Sequence, residues 1–533
     1  MNSPLLALFI RSVREEVRSR ATYWARAGLG GFLLLVVALF ALSNRWTGAP
    51  GKVFFTTVIS FQAVAVALVG LSYFGSAITE EKEEQTLGLL RMTSLNPLSI
   101  LLGKSTSRLC GALLLLVGQV PFTIFAVTLG GVSLGQIAAV YCALGAFMFL
   151  LCNLALLGSV LARRTSEAAA FCVLVLVILL GSVWLFGFLH DQLTGFPRLQ
   201  TAFGDAADAL WNSTPIARLQ EVLSTGFSGP PVGWQVLSNL TAGIGCFFLA
   251  WALFGRFCDR APGGASAESG PGGGRFGRRW LRPPRAWKNA LVWKDFYFVC
   301  GGSLGFTIRM VCYGGAFLPF ICRATGVWGV IADMARAMSE VTAFVFSIDA
   351  ALLASRIFGL ELREQTLTAL AALPCTMRKI VYRKAFGCLL AAAPGIAAVI
   401  AIQMLSLHSF AVIPAGTSLP FSMRQFMILQ TLSGWATTVL MVQVAAWLSL
   451  YLKRGAAPIA FVGTHAAMMV VAMLCSVVVA MNAFRAFNSA SALTPNFSFI
   501  VLGPIISVVV GIVAALVFHF LGLRRLEVLA GES

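Results

Sequence analysis

Apolar windows of about twenty residues without a charged side chain recur along this sequence, and they constrain its fold more than any other feature. A helix needs about 20 predominantly apolar residues to cross a bilayer. The 533 residues are 58% hydrophobic and 11% charged, whereas a soluble domain is typically about 25% charged. These windows predict membrane spans, and we expect an all-α integral membrane protein.

The apolar windows fall into two sets of six, separated by a segment rich in Gly, Pro and Arg. We expect about 12 transmembrane helices, arranged as two six-helix repeats with interfacial helices at 2–26 and 287–299. The predicted domains are a six-span half at 1–256, a flexible linker at 257–285 and a second six-span half at 286–533. The expected spans are 27–42, 53–78, 107–129, 134–162, 168–189 and 234–254, then 303–321, 341–360, 385–407, 425–452, 458–481 and 499–523.

The distribution of Lys and Arg predicts the orientation of the chain. With six spans in each half, both termini and the linker lie on one side of the membrane, and that side carries 30 of the 39 Lys and Arg residues. Cytoplasmic loops carry an excess of these residues. We therefore expect a multi-pass protein of the inner (cytoplasmic) membrane with both termini in the cytoplasm. The net charge of +18 is thereby explained without nucleic acid as a partner.

Residues 80–104 form a strongly charged stretch between two predicted spans. The five consecutive charged residues at 80–84 would together cost about 10 kcal/mol or more at the bilayer centre. They must therefore lie in water. The apolar segment that follows, up to Asn96-Pro97, is expected to form a short helix whose exposed face docks on a partner.

The same pattern recurs 280 residues later. Residues 81–104 align without a gap with 361–384, so that the tetrapeptide Glu-Gln-Thr-Leu at 84–87 matches the one at 364–367, and Lys104 matches Lys384. A second ungapped match pairs residues 163–171 with 453–461 at a nearly equal offset. Two matches in the same order indicate a duplicated chain.

In the first copy, a Glu-x-x-Thr-Leu-x-x-Leu segment is followed by a Pro and by an apolar helix that opens with Gly103-Lys104. This pattern resembles the loop between the second and third spans of ABC-2-type transporter permeases, and the resemblance extends over both halves. It implies a permease subunit of an ATP-driven exporter, whose loops are coupling helices that dock on separate ATP-binding cassette subunits, either two copies or a heteropair. The chain departs from the family at Gln85 and Gln365, where Gly usually precedes the Thr, and at Arg383, which replaces a Gly.

The residues expected to contact the ATP-binding subunits lie in these two loops. Acidic side chains would meet basic groups on the partner, and leucines would fill its groove. The first loop is the more acidic, so we expect unequal contacts with the two ATP-binding subunits. The alternative is that the acidic residues only solvate the loop. The candidates are Glu81, Glu84, Gln85, Thr86, Leu89 and Leu90 in the first loop, and Glu361, Glu364, Gln365, Thr366 and Leu370 in the second.

The sequence contains no recognisable catalytic, metal or cofactor motif. Gly103-Lys104-Ser105 resembles the end of a phosphate-binding loop, but Leu98 stands where that loop needs a glycine. The four histidines are far apart, and the 12 cysteines are scattered without a Cys-x-x-Cys, which favours packing roles over disulfides or metal ligands. We therefore expect a transporter subunit without a cofactor, and ATP hydrolysis on a separate chain.

Asp349 is the other candidate, because an isolated carboxylate is costly at mid-depth of a membrane span. Arg356 lies two helical turns away on the same face, and Arg309 lies at similar depth in the preceding span. Either a structural ion pair with Arg309 or a role in lining the substrate path would explain Asp349.

Two other classes of function are alternatives to the permease. An ion-coupled secondary transporter could also have twelve spans and a central loop, but it usually needs intramembrane carboxylates, of which Asp349 is a single candidate. A lipid-modifying membrane enzyme would need clustered His, Asp or Glu at the interface. The sequence leaves three points open: the cargo, the choice between one chain forming the whole membrane part and a pair of identical chains, and the direction of transport, for which the resemblance favours export.

Overall fold

The computed structural model describes residues 14, 30–31, 34–35, 50–83, 86, 96–162, 165–193, 196–258, 285–315, 331–363, 365–411, 421–452, 456–488 and 497–531. The regular structure in these ranges is helical throughout, without a strand, so the predicted all-α class is confirmed. The chain divides into two compact units, Met1–Ala265 and Ser266–Ser533. This division falls within the segment 257–285 that the sequence predicts as a linker.

Long apolar helices make up most of the first unit. Several have a proline in the first turn, where the missing N–H and the fixed φ are tolerated. The described helices are α1 (Pro50–Gly75), α2 (Thr79–Glu83), α3 (Pro97–Val117), α4 (Val120–Thr128), α5 (Leu134–Leu161), α6 (Thr165–Gln192), α7 (Pro197–Asn212), α8 (Pro215–Val222) and α9 (Trp234–Cys258).

Helix α5 is the centre of the first unit and packs against α1, α3, α6 and α9. It begins with a capping box, in which the Gln136 N–H donates to Ser133 Oγ at 3.2 Å and the Ser133 N–H donates to Gln136 Oε1 at 2.9 Å. Its second half is buried on every side from Leu151 to Val160, as expected for a helix that is apolar all round. The end of α5 is therefore enclosed by the protein.

The second unit contains the longer helices. They include prolines at interior positions, Pro394 and Pro504, which transmembrane helices tolerate. The described elements are α10 (Ala290–Lys294), a π-helical turn (Asp295–Val299), α11 (Gly302–Gly315), α12 (Ile331–Arg363), α13 (Leu367–Ala371), α14 (Met377–Ala411), α15 (Phe421–Leu448), α16 (Ala456–Asn488) and α17 (Phe497–Ala530).

The second unit opens with a sharp bend. Helix α10 and the π-helical turn together meet α11 at 61°. Gly301 and Gly302 form the bend, with φ values of +90° and +59° that favour glycine. The predicted interfacial helix at 287–299 is thus a helical segment steeply inclined to α11, whereas its predicted counterpart at 2–26 lies outside the described residues except for Arg14.

Two buried clusters organise the second unit. One joins the π-helical turn to α11, α12 and α14 through residues that include Phe296, Tyr313, Phe346, Leu353 and Ala391. The other lies under the second loop and brings α12, α13, α14, α15 and α17 together. Because both clusters include α12 and α14, these two helices position the loop between them.

Eight helices within the described ranges are long and apolar enough to cross a membrane, and the bent pair of α10 and α11 would add a ninth. A multi-pass membrane protein is therefore supported. Helices α1 and α6 overlap the predicted spans 53–78 and 168–189 but are not among these eight. The predicted span 27–42 lies outside the described residues apart from four positions. The full predicted count of spans stays a prediction.

Candidate functional site

The first charged loop is closed at its base by Glu81. Lys104 Nζ, on α3, donates to Glu81 Oε1 at 2.6 Å, and Thr86 Oγ1 donates to the other carboxylate oxygen. The Thr86 N–H also donates to the Glu81 carbonyl at 3.0 Å. Burial opposes ionisation of Glu81, but the hydrogen bonds from Lys104 and Thr86 outweigh it and hold the pKa of that carboxyl below its usual range. Glu81 thus fixes both the beginning of the loop and the helix that follows it.

The second loop has the same closure 280 residues later. Lys384 Nζ, on α14, donates to Glu361 Oε1 at 3.1 Å, and Thr366 Oγ1 donates to the other carboxylate oxygen. The Thr366 N–H donates to the Glu361 carbonyl at 2.9 Å. We call these two arrangements the first anchor (Glu81, Thr86, Lys104) and the second anchor (Glu361, Thr366, Lys384).

The second anchor continues into a network of alternating charges, which is buried except for Lys294. Lys384 Nζ also donates to Asp295 Oδ1 at 2.8 Å, and both side chains are 0% exposed. Lys294 Nζ donates to Glu361 Oε1 at 2.8 Å. Two ammonium groups and two carboxylates therefore balance one another, and buried charges need such compensation. The network connects the bent entry segment of the second unit to the base of its loop.

The first anchor is reinforced by Lys82 instead. Its ammonium group donates to three carbonyl oxygens at the end of α5, those of Ser159 at 2.9 Å, Val160 at 2.6 Å and Ala162 at 2.9 Å. The last carbonyls of a helix lack partners within the helix and carry partial negative charge, so a cation is favourable there. Lys82 therefore joins α2 to the end of α5.

Arg108 adds a further connection between α3 and the end of α1. It donates to Glu80 Oε2 at 2.8 Å and also to the Tyr73 carbonyl and Ser76 Oγ. The guanidinium group lies 5.5 Å from the centre of the Tyr73 ring. In the second unit, Leu360 and Cys388 stand at the positions equivalent to Glu80 and Arg108, so this connection belongs to the first unit.

The structure describes about half of the predicted contact residues. Glu81, Thr86, Glu361 and Thr366 bond within their own units, as set out above, and Leu370 is buried. Gln365 is exposed and has a φ of +55°, the left-handed conformation that glycine adopts most easily. Contact of these residues with a partner stays a prediction. The candidates outside the described residues are Glu84, Gln85, Leu89, Leu90 and Glu364.

Several charged residues in or next to the two anchors were not among the sequence-based candidates, namely Lys82, Lys104, Arg108, Lys294, Asp295 and Lys384. A signal for two of them was present, because Lys104 and Lys384 each end the aligned segment at the same separation from Glu81 and Glu361. Lys294 and Asp295 precede Glu361 by more than sixty residues, so local spacing carries no sign of their contact.

Asp349 and Arg309 form a bidentate ion pair. Arg309 Nε donates to Asp349 Oδ2 at 2.8 Å, and Arg309 Nη2 donates to Oδ1 at 3.0 Å. Tyr313 donates to the same carboxylate at 3.4 Å. Both charged side chains are largely buried, and bidentate pairing is the strong form of this interaction. Arg356, the third predicted member, has no ion pair within the part of the chain that the structure describes.

The described residues contain no group of three or more His, Cys, Asp or Glu side chains that could hold a metal ion. The site is therefore defined by the two anchors and the loops they close. A scan against protein-family models finds no match to this chain, and a search of curated protein sequences finds none either.

Proposed function

We propose that this chain is the transmembrane permease subunit of an ATP-driven (ABC) exporter with two fused six-span halves. Its two loops serve as coupling helices for ATP-binding cassette subunits, either two copies or a heteropair. The chain lies in the cytoplasmic membrane with both termini and both loops in the cytoplasm. ATP is hydrolysed by the partner.

The observation that carries this proposal is the pair of matching anchors. Each one joins a glutamate at the end of one helix to a threonine inside the loop and a lysine on the next helix, with 280 residues between corresponding positions. Two ungapped sequence matches and two identical bonding patterns support a duplicated chain. A transporter with two ATP-binding subunits needs two equivalent loops of this kind.

The anchors supply the mechanical connection that coupling requires. A displacement of a coupling helix moves the membrane bundle only if a physical contact transmits it to a packed element. Lys104 and Lys384 carry a displacement to α3 and α14. Lys82 carries it to α5 in the first unit, and Asp295 carries it to the bent entry segment in the second.

The different reinforcements support unequal roles for the two loops. The first loop is tied to the end of a central membrane helix, and the second is tied to a segment at the start of its unit. The first loop is also the more acidic. We infer that the two ATP-binding subunits are contacted with different strength.

An ion-coupled secondary transporter is the alternative. Its coupling carboxylate would have to gain and lose a proton or bind a cation during transport. Asp349 is instead held by a bidentate arginine and a tyrosine, which occupy both carboxylate oxygens and leave little of the carboxylate for a cation. The geometry therefore favours the ATP-driven exporter.

Co-purification tests the proposal. We expect the tagged chain to retain an ATP-binding subunit, and Glu84→Ala to weaken that association because it removes a charge at the predicted contact. Lys104→Met should leave the subunit bound but weaken stimulation of its ATPase activity by the permease, because the loop then keeps only the Arg108–Glu80 connection to α3. Ala substitution of the exposed surface residue Arg198, in the first unit, is the matched control.

Two results would contradict the proposal. One is a purified chain that binds no nucleotide-hydrolysing subunit and moves a solute in response to an ion gradient. The other is a label at residue 90 or 370 that reacts only with reagents added outside the cell. Equal loss of ATPase activity in Glu84→Ala and Glu364→Ala would remove the inferred difference between the loops and leave the rest intact.

A further inference from the structure

Two cysteine side chains from distant parts of the second unit lie in contact. The sulfur atoms of Cys300, which follows the π-helical turn, and Cys388, on α14, are 3.5 Å apart. The two residues are 4% and 5% exposed. A disulfide bond is about 2.05 Å long, so closure needs an approach of about 1.5 Å, which side-chain rotation and small backbone shifts supply. No other pair among the described cysteines shows such a contact.

The contact is held in place by close packing next to Cys388. A Cβ atom added at Gly387 would lie 2.9 Å from the Val292 carbonyl oxygen and 3.2 Å from Asp295 Cβ. Helix α14 and the entry segment therefore touch backbone to backbone at this point. One turn away, Lys384 pairs with Asp295 at 2.8 Å. The two elements are fixed against each other in the turn that precedes each thiol.

Cys300 is held through its backbone as well. Its N–H donates to the Asp295 carbonyl at 3.0 Å, and its own carbonyl accepts from Arg309 Nη1 at 3.2 Å. These bonds fix the backbone of Cys300 and leave its side chain to rotate about χ1. The guanidinium group of Arg309 lies close to Cys300, and the thiolate is the nucleophile in cysteine oxidation.

The residues around the two thiols limit which oxidants can reach them. The thiols lie in a cluster with Phe296, Phe346, Leu353 and Ala391, so a large or charged disulfide reagent would have to be desolvated to reach them. A peroxide is small and uncharged. Hydrogen peroxide is therefore the class of oxidant best suited to this site.

We propose that Cys300 and Cys388 form an oxidation site at which hydrogen peroxide generates an intramolecular disulfide bond. The Cys300 thiolate attacks one peroxide oxygen, the O–O bond breaks, and the departing hydroxide takes the thiol proton to become water. The Cys388 sulfur then attacks the sulfenic sulfur of Cys300, the S–O bond breaks, and the hydroxide leaves as water with the Cys388 proton. Two thiols lose two electrons and two hydrogens, and one peroxide is reduced to two waters. The bond joins the entry segment covalently to α14, and the inference does not depend on the proposed transport function.

The test treats the full-length purified chain with hydrogen peroxide, blocks the remaining thiols with N-ethylmaleimide and maps peptides by mass spectrometry without reduction. We expect one linked peptide pair containing Cys300 and Cys388, which dithiothreitol separates. Cys300→Ser and Cys388→Ser should each lose it. Cys475→Ser, at a buried cysteine without a sulfur contact, should retain it.

Two results would overturn the inference. Both are measured on the wild-type chain, so the test does not depend on whether the variants fold. In one, peroxide oxidises the exposed Cys312 while the linked pair is absent. In the other, the linked pair occurs only in covalent dimers on a non-reducing gel, which would place the bond between two copies.

Discussion

Substitution of Lys384 by Met should destabilise the protein far more than the same substitution of Lys104. Lys384 is 0% exposed and pairs with Asp295, itself 0% exposed, and with Glu361. Removing one partner of a buried ion pair costs about 3–5 kcal/mol, because it leaves an uncompensated charge in the interior. Lys104 is 30% exposed and pairs with one carboxylate, and such a pair contributes at most about 1 kcal/mol. The two positions are equivalent in the aligned segments, so each is the control for the other.

The measurement is equilibrium unfolding in mixed micelles, followed by tryptophan fluorescence. We expect the free energies of unfolding of the two variants to differ by at least about 2 kcal/mol, which is roughly thirtyfold in the equilibrium constant. The double variant Lys384→Met, Asp295→Leu should recover most of the loss, since it removes both members of the buried pair and leaves Glu361 with Lys294 and Thr366.

The reasoning would be refuted by equal destabilisation in Lys104→Met and Lys384→Met. It would also be refuted if the double variant were as unstable as Lys384→Met alone, because an unpaired Asp295 would then not be the source of the cost. In either case the buried network would contribute no more than an exposed ion pair.

Three further predictions concern single positions. Gln365→Gly should stabilise the protein and Gln365→Val should destabilise it by about 1–2 kcal/mol, because a φ of +55° is unfavourable for a β-branched residue; equal thermal stability of the two variants would contradict this. The pKa of Glu81 is lower in the folded state than in the unfolded state, so its ionised form stabilises the fold above the unfolded pKa, and this stabilisation is lost as the pH falls through the folded pKa. Glu81→Gln should therefore flatten the acid side of a curve of unfolding free energy against pH. An unchanged curve would argue against the first anchor. Gly387→Ala should cost about 1–3 kcal/mol because its new Cβ would lie 2.9 Å from the Val292 carbonyl oxygen, whereas Gly463→Ala, with open space around it, should be neutral or stabilising; thermal unfolding of both variants gives the comparison.

Hydropathy predicted the helical class and the positions of the eight candidate spans, but it underestimated the lengths of some helices of the second unit. The sequence predicts a span at 385–407, whereas α14 begins at Met377; it predicts 341–360, whereas α12 covers Ile331–Arg363. The difference arises because backbone hydrogen bonding continues a helix beyond the bilayer, while an apolar window ends at the first charged side chains. Lys379 and Arg383 therefore lie in α14 although they lie outside the predicted span.

Sequence also located the two loops but not the bonds that close them. The sequence alone aligns Glu81 with Glu361 and Lys104 with Lys384. This shared spacing does not indicate that the Glu and the Lys of each copy form an ion pair. The contact between Asp295 and Lys384 could not be predicted from local spacing, because the two residues are 89 positions apart and meet only through the tertiary fold. Asp349 and Arg309 lie at similar depth in adjacent predicted spans, so an ion pair between them was one of two sequence-based interpretations of Asp349. The structure contains that ion pair, with two hydrogen bonds.

The ammonium group of Lys82 completes the final turn of α5 with hydrogen bonds that the helix cannot make for itself. Its withdrawal would leave three carbonyl groups without these donors, and unpaired buried backbone is costly. A rotation of α2 away from α5 is therefore opposed by the loss of these three hydrogen bonds. The first loop therefore moves most easily when α2 and the end of α5 move together as one rigid body.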